Sequence, residues 1–417
     1  MTTTYGWTGS LLRIDLSTGQ NSTASSRDYT EHFIGGRMLG ARLYWDEVSP
    51  NTRALDADNV LMILPGPLAG TQATACSRWV MAAKSPYLYP DQYSFANSGG
   101  FFGAAVKQAG FDAVLINGKA AKPSYILLED SKISFHDASG LLGLATDETI
   151  ARLQEQHGKG ARVVCTGPAG EKMVSFALAM ADQGGALGNG MGAVMGSKNL
   201  KAIVIKAGGK IKAADPDSLK QLNKDIRTAR KSQHESIYMT DPMIQGIENL
   251  KPAPCYGCPA GCARAIFKHT SGREEIRKTC AAAFLYSGWD TKYHGEATEY
   301  PFLATSLCDK LGLCTQEISN ILYWFSACRE QDALSEDKTG LDLSQLGSQE
   351  FFEKLIDMIV TRTGFGDLLA LGIRRAGIEL GGGADELARA RVTPSGYVND
   401  AYSARLYLPN GIAYATE

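Results

Sequence analysis

The hydrophobic pattern of this chain changes period once, close to residue 210, and that change limits the folds open to it. Before it, short β-branched or apolar runs are separated by Gly, Pro and Asp turns, as strands are. These runs are Leu11–Leu16, Val60–Leu64, Trp79–Ala83, Ala113–Ile116, Tyr125–Leu128, Val163–Cys165 and Ala202–Ile205. Two helical stretches interrupt them, Gly103–Gln108 and Asp147–Gln156, the second with Thr146 in the capping position. After Asp215-Pro216 the spacing becomes helical in Ser218–Lys231, Thr298–Leu311, Gln316–Arg329, Gln349–Thr361 and Asp367–Glu379. Thr315 and Ser348 stand where N-caps are expected, and Gly312 and Gly364 where a left-handed residue closes a helix. The expected fold class is α+β, with a β-rich domain over residues 1–210 and a mainly helical domain over 211–417, joined through Gly208-Gly209.

A chain of 417 residues exceeds what one core accommodates, so two or three compact domains are expected. With a net charge of -2 it offers no electrostatic footprint for a nucleic-acid backbone or an anionic membrane surface. No apolar run reaches the length of a membrane span and the start shows no leader pattern, which points to a cytoplasmic protein without membrane insertion. Nine cysteines are too sparse for a disulfide scaffold in a chain of this size, and three of them are clustered.

That cluster is Cys255-Tyr-Gly-Cys258-Pro-Ala-Gly-Cys262, three thiols within eight residues at Gly and Pro turns. Such spacing suits an iron-sulfur cluster or Zn²⁺. A structural zinc site would add a second close Cys or His pair, whereas His269 and Cys280 are isolated; unliganded core cysteines are the remaining reading. A [4Fe-4S] cluster needs a fourth ligand, from elsewhere in the chain, from beyond its end or from a partner. Because a cluster moves single electrons, a second centre must handle substrate.

The 45 glycines, about half again the usual share of roughly 7%, concentrate in loops before residue 200. The loops are Gly66-Pro-Leu-Ala-Gly70 with Cys76-Ser-Arg78, Asn97-Ser-Gly99-Gly100, and Gly188-Asn-Gly190-Met-Gly192 running to Gly196-Ser-Lys198. Each has a plain reading as turn chemistry. Backbone N–H groups from several such loops, with one Arg, also suit a phosphate-bearing pterin.

These segments, with Gly9-Ser-Leu-Leu-Arg-Ile-Asp-Leu, Ile34-Gly-Gly-Arg37, Asn97 to Gly103, Gly192 to Ala202, the three cysteines and Asp309-Lys-Leu-Gly-Leu313-Cys314, resemble the aldehyde ferredoxin oxidoreductase family. The resemblance implies a tungsten (or molybdenum) bis-molybdopterin beside a [4Fe-4S] cluster held by Cys255, Cys258 and Cys262, with Mg²⁺ bridging the pterin phosphates. It implies cofactor contacts from Arg78, Asn97, Gly99 and Gly190, and from the Asp309, Leu313 and Cys314 motif, which read alone is a helix C-terminus. Gly188 stands where many relatives have Arg, so one phosphate contact is in question. In the family the chain continues past the equivalent of Glu417 with a second such motif, the fourth cluster cysteine and an acid/base histidine.

The expected activity is oxidation of aldehydes to carboxylic acids, with electrons passed through the cluster to ferredoxin or an Fe-S electron-transfer subunit in a homodimer or hetero-oligomer. Cys280 stands near the place of the family's glutamate, which resembles the tungsten class of benzoyl-coenzyme A reductase subunits and implies low-potential reduction of an aromatic thioester as the alternative; a thiolate suits tungsten. A buried core cysteine is the plain reading. His294, Glu296 and Glu299 are the local titratable group near a pterin motif, able to serve as acid or base or simply to favour a helix N-terminus. Cys308 and Cys328 fall on apolar helix faces. An electron-transfer subunit without a working pterin site is the third reading.

Overall fold

The computed structural model describes residues 5–182, 184–231, 247–259, 265–269, 275–276, 280–398 and 409. Up to Lys206 the described residues form twelve strands: β1 (Ser10–Asp15), β2 (Gln20–Ser25), β3 (Leu61–Pro65), β4 (Trp79–Ser85), β5 (Gln92–Ser98), β6 (Ala113–Asn117), β7 (Ser124–Glu129), β8 (Lys132–Asp137), β9 (Arg162–Thr166), β10 (Ala179–Ala181), β11 (Gly185–Leu187) and β12 (Leu200–Lys206). They build two six-stranded mixed sheets, ordered β2-β1-β6-β3-β4-β5 and β11-β10-β9-β12-β7-β8. Every strand expected from the pattern is present. The exposed β2, whose one apolar residue is Ala24, escaped it, since it is held through backbone pairing with β1.

Side chains on a strand alternate between faces, and here the alternation sorts them into separate cores. Leu12, Ile14, Ile63, Met81, Val114 and Ile116 of the first sheet meet Ile126, Val164, Ile203 and Ile205 of the second, with Phe102, Val106, Val194 and Met195 from two short helices packed among them. The opposite face of the first sheet, with Leu11, Met62, Leu64 and Ala82, takes Leu39 and Leu43 of helix Gly36–Glu47. The outer face of the second, with Tyr125, Leu127, Val163 and Val204, takes Leu153 of helix Thr146–His157. Burying a Leu or Ile contributes about 1.5–3 kcal/mol each, so the two-sided apolar strands dictate this layering. A buried ion pair closes the N-terminus onto it. Asp112 accepts from the backbone N of Thr8 and Gly9 and from Ser26 Oγ, and pairs with Lys107.

Beyond Pro216 the described residues are mainly helical: Pro216–Lys231, Cys280–His294, Tyr300–Leu311, Thr315–Glu330, Gln349–Thr361, Phe365–Leu369, Ile373–Leu380 and Gly382–Arg389. Trp289, Trp324, Phe325, Phe351 and Leu355 form their core, into which Tyr87, Leu88, Val174 and Phe176 reach from the sheet region. Cys308 and Cys328 lie in that core as expected.

The caps correct the sequence reading in part. Ser348 Oγ accepts from the backbone N of Phe351 at 3.0 Å, and Gly312 closes its helix at φ 74°. Thr315 and Thr146 instead lie inside their helices, behind Cys314 and Ala145, because neither hydroxyl turns back on its own first turn. Arg362, not Gly364, takes the left-handed position after Gln349–Thr361, and Gly364 opens the next helix. The single run expected over Asp367–Glu379 breaks at Gly372, whose φ of +86° a helix interior does not accept. Helix Cys280–His294 went unread because it is apolar around most of its circumference, leaving little 3.6-residue contrast.

Besides these side chains, the sheet region and the helices meet through backbone. Leu178 N donates to Gly312 O at 2.9 Å and Ala177 bridges Leu313, while Gly192 N, within the sheet region, donates to Ala177 O at 3.0 Å and holds that segment from behind. A Cβ on Gly167 would sit 2.5 Å from Leu311 O. Gly167→Ala is therefore expected to destabilise the protein by about 1–3 kcal/mol, the usual cost of overpacking, read as a lower denaturant midpoint. An unchanged midpoint would show that this contact yields.

Candidate cofactor and cluster site

The cysteine loop is docked onto the glycine loops by main-chain hydrogen bonds. Tyr256 N donates to Gly100 O at 3.1 Å, Ala75 N donates to Gly257 O at 3.2 Å, and Tyr256 Oη reaches Gly70 O at 3.4 Å. Cys255 and Cys258 flank this junction, half-buried, with Cys258 N donating to Cys255 O and Gly257 turning at φ 63°. Cys262 lies outside the described residues. Among the described residues no three or more His, Cys, Asp or Glu converge on one point. Two soft thiols on a tight turn, open on one side, still form a donor set suited to an iron-sulfur centre.

Beside the junction, Arg78 and Asn97 sit at the ends of β4 and β5, where Trp79 pairs with Ser98 and Val80 with Asn97. Trp79, Ser98, Gly99 and Gly100 are buried, while Arg78 and Asn97 are exposed. The pattern leaves an Arg and an amide on an accessible rim, with Arg78 Nη1 3.5 Å from Asn97 O. Gly99 O accepts from Trp79 Nε1 at 3.1 Å, so the loop is fixed from beneath. An exposed Arg and an exposed Asn on a rim fixed from beneath are the groups that hold a phosphate-bearing ligand.

The third loop is different. Gly190 takes φ +73°, and a Cβ there would lie 2.6 Å from Ser175 O and 2.8 Å from Pro86 Cδ, so this glycine admits protein backbone. At Gly188 nothing lies within 4 Å of the Cβ position, which faces open space. The Asp309–Cys314 turn reaches this region through Leu313 and Gly312, and Asp309 O accepts from Thr146 Oγ1 at 2.8 Å. Helix closure by Gly312 and attachment to the loop platform thus coexist at this motif.

Cys280 does not join His294 and Glu299, which lie together at the entry to helix Tyr300–Leu311. Cys280 opens helix Cys280–His294, its side chain outside the described residues, and His294 ends that helix, about 21 Å away at 1.5 Å per residue. Glu299 precedes helix Tyr300–Leu311, placing it about 15 Å from Asp309 on the same rise. His294 Nδ1 contacts Asp290 Oδ1 at 2.7 Å, and buried Asp290 also accepts from the backbone N and Oγ1 of Thr298. This cluster fastens the entry to the helix.

Three side chains that carry the site have no motif of their own. Asn223 accepts from Thr74 N and Oγ1 and donates to Gln72 O, pinning the Gly70–Cys76 loop. Arg162 pairs with Asp182 at 3.2 Å and lies 4.6 Å over the Phe101 ring. Glu317, fully buried, accepts from Tyr87 Oη at 2.8 Å and from Ile373 N at 2.6 Å, on the first turn after Cys314. Only a lone carboxylate in an apolar helical face hinted at the last.

Sequence models of the aldehyde ferredoxin oxidoreductase N-terminal domain and of its domains 2 and 3 match residues 11–207 and 224–417. The chain belongs to the aldehyde ferredoxin oxidoreductase family. Tungsten-containing aldehyde ferredoxin oxidoreductase of Pyrococcus furiosus is 30% identical over 99% of this chain and 73% of that protein. The WOR-like subunit of aliphatic sulfonate oxidoreductase from the same organism is 26% identical, covering 90% of this chain and 68% of that one. Among solved structures, the active site complex BamBC of benzoyl coenzyme A reductase with 1,5-dienoyl-CoA contains a chain with TM-score 0.82 and 26% identity, covering 95% of this chain and 66% of that one. This family member thus spans about two-thirds to three-quarters of the relatives' length. No helix among its described residues is long and apolar enough to cross a membrane.

Burial raises the Glu317 carboxyl from 4.5 to about 7, against the hydrogen bonds from Ile373 and Tyr87 that favour its ionised form. A raised folded-state value means that the native protein holds this proton more tightly than the unfolded chain does. Stability therefore falls as pH rises from about 4.5 through about 7, by on the order of 3 kcal/mol. Glu317→Gln should flatten that part of the curve of melting temperature against pH. A variant with the parent's slope would assign the pH dependence to other groups.

Proposed function

We propose that this chain works as a tungsten- or molybdenum-pterin, iron-sulfur oxidoreductase that oxidises aldehydes to carboxylic acids and delivers electrons to ferredoxin or an iron-sulfur subunit. The observation that supports it most is the seating of the cysteine loop on Gly100, Gly70 and Ala75, which sets two thiols next to the exposed Arg78–Asn97 rim. An electron-transfer site and an anion-binding rim share one junction.

In this reading Cys255, Cys258 and Cys262 ligate the cluster, which supplies single-electron transfer. Arg78 binds a pterin phosphate, Asn97 and the Gly99 backbone orient it with Mg²⁺, and the Asp309–Cys314 turn holds the pterin from the helical side. The pterin metal supplies the two-electron chemistry at substrate. Cys280 is retained as a candidate thiolate near that metal. His294 and Glu299, at the far ends of their helices, are assigned to helix entry instead of proton transfer. The likeness to the benzoyl coenzyme A reductase complex, together with Cys280, supports reduction of an aromatic thioester as the second reading, and a partner iron-sulfur subunit suits either.

Anaerobically purified protein should carry tungsten or molybdenum together with several iron atoms per chain by mass spectrometry. Iron alone would leave an electron-transfer subunit, and neither metal would sink the proposal. If it holds, Arg78→Ala should lower pterin and tungsten content with iron retained. Gly188→Arg should alter stability by no more than about 0.5 kcal/mol, as surface changes do, and should raise pterin retention; a severe loss of stability would show that the loop has no room for the relatives' Arg.

A further inference from the structure

We propose that Arg162 is a positioning residue for the cluster-binding loop, acting through an aromatic stack, and this rests on reading that loop as the cluster ligand. Arg162 opens β9, an interior strand of the second sheet paired with β10 on one side and β12 on the other. Its guanidinium lies 4.6 Å over the Phe101 ring, and Phe101 meets Tyr256 edge to face with ring centroids 5.9 Å apart. Tyr256 is the residue between Cys255 and Gly257, and its backbone N is the donor to Gly100. Guanidinium, Phe101 and Tyr256 therefore form one column, running from the second sheet to the main chain between two of the thiols.

The far end of the column is anchored. Arg162 Nη1 pairs with Asp182, whose carboxylate is buried and whose backbone N donates to Val163 O at 2.8 Å. A guanidinium suits this place because one planar group can pair with a carboxylate at its edge and present its face to a ring, which an ammonium cannot do. Phe101 also follows Gly100 directly, so the column and the hydrogen bond to Tyr256 fix the same peptide from two sides. The loop has no regular secondary structure of its own between Ala253 and Pro259. Its alignment must come from contacts such as these.

The cluster's potential depends on its exposure and surrounding charge, so a loosened column and a lost cation should both show there. The test is a cycle of Arg162→Met, Phe101→Leu and the double variant in the full chain. Readouts are iron per chain, the rate of iron loss to a chelator, and the cluster midpoint by electron paramagnetic resonance titration. Each single variant is expected to fold and to lose iron severalfold faster than the parent, and Arg162→Met, which removes the cation, is expected to shift the midpoint negative. The double variant should lose iron no faster than the worse single one, because both act through one column. Phe101→Tyr, which keeps the ring face, should behave as the parent, and Arg162→Lys should rescue only part of the effect. Multiplying effects in the double variant, or an unchanged midpoint and iron loss in Arg162→Met, would overturn the role of Arg162 while leaving the cluster reading intact. A parent chain without iron would overturn both.

Discussion

Close approach of backbone to backbone, where side chains are absent, is the constraint on which this structure depends. Two apolar sheets bury their faces, and the helices bury theirs around a core that Tyr87, Leu88, Val174 and Phe176 enter from the sheet region, but apolar burial is non-directional and does not by itself set the relation between them. That relation comes from the meeting of Gly167 with the Leu311–Gly312 peptide. The hydrogen bond from Leu178 N to Gly312 O completes the contact, and Gly192, packed on Leu178 with its N donating to Ala177 O, supports that segment from within the sheet region. Each Cβ added there would fall inside a neighbouring peptide. The cost is steric and local, so the junction has one geometry instead of a family of them.

The same economy shapes the site. Gly190, in a loop that could have approached a ligand, approaches Ser175 and Pro86 instead, and of the glycines from Gly188 to Gly196 only Gly188 faces open space. The cysteine loop follows suit, taking its place from main-chain groups of Gly100, Gly257 and Ala75. Polar side chains supply the remaining ties: Asn223 to the Gly70–Cys76 loop, and Glu317 to Tyr87 and the start of helix Ile373–Leu380. Glu317 fastens the Tyr87 segment to the helices from within the core, where its charge is unfavourable.

Much of the fold was legible. Runs such as Leu61–Leu64 and Ile203–Ile205 are apolar on both faces because each of their faces meets a separate core, and such runs announce themselves. β2 did not, being fully exposed and polar apart from Ala24, and helix Cys280–His294 did not, being apolar without period. Thr146 and Thr315 misled because a cap depends on where a hydroxyl points: Thr146 donates to Asp309 O, across the junction. Likewise His294 and Glu299 are near Asp309 in sequence, yet a straight helix carries them away from it.

By itself the sequence determined the alternation of elements, the two-faced sheets, the cysteine spacing and family membership, because periodicity, turn chemistry and ligand spacing are local properties. Tertiary structure alone decided which glycines serve packing and which face open space, that Arg78 and Asn97 share a rim, and that Arg162 stands over Phe101 beside the cysteine loop. Those facts join residues up to 155 positions apart, as Phe101 and Tyr256 are. Only the packing of whole sheets and helices brings such residues within reach, and no local rule encodes it.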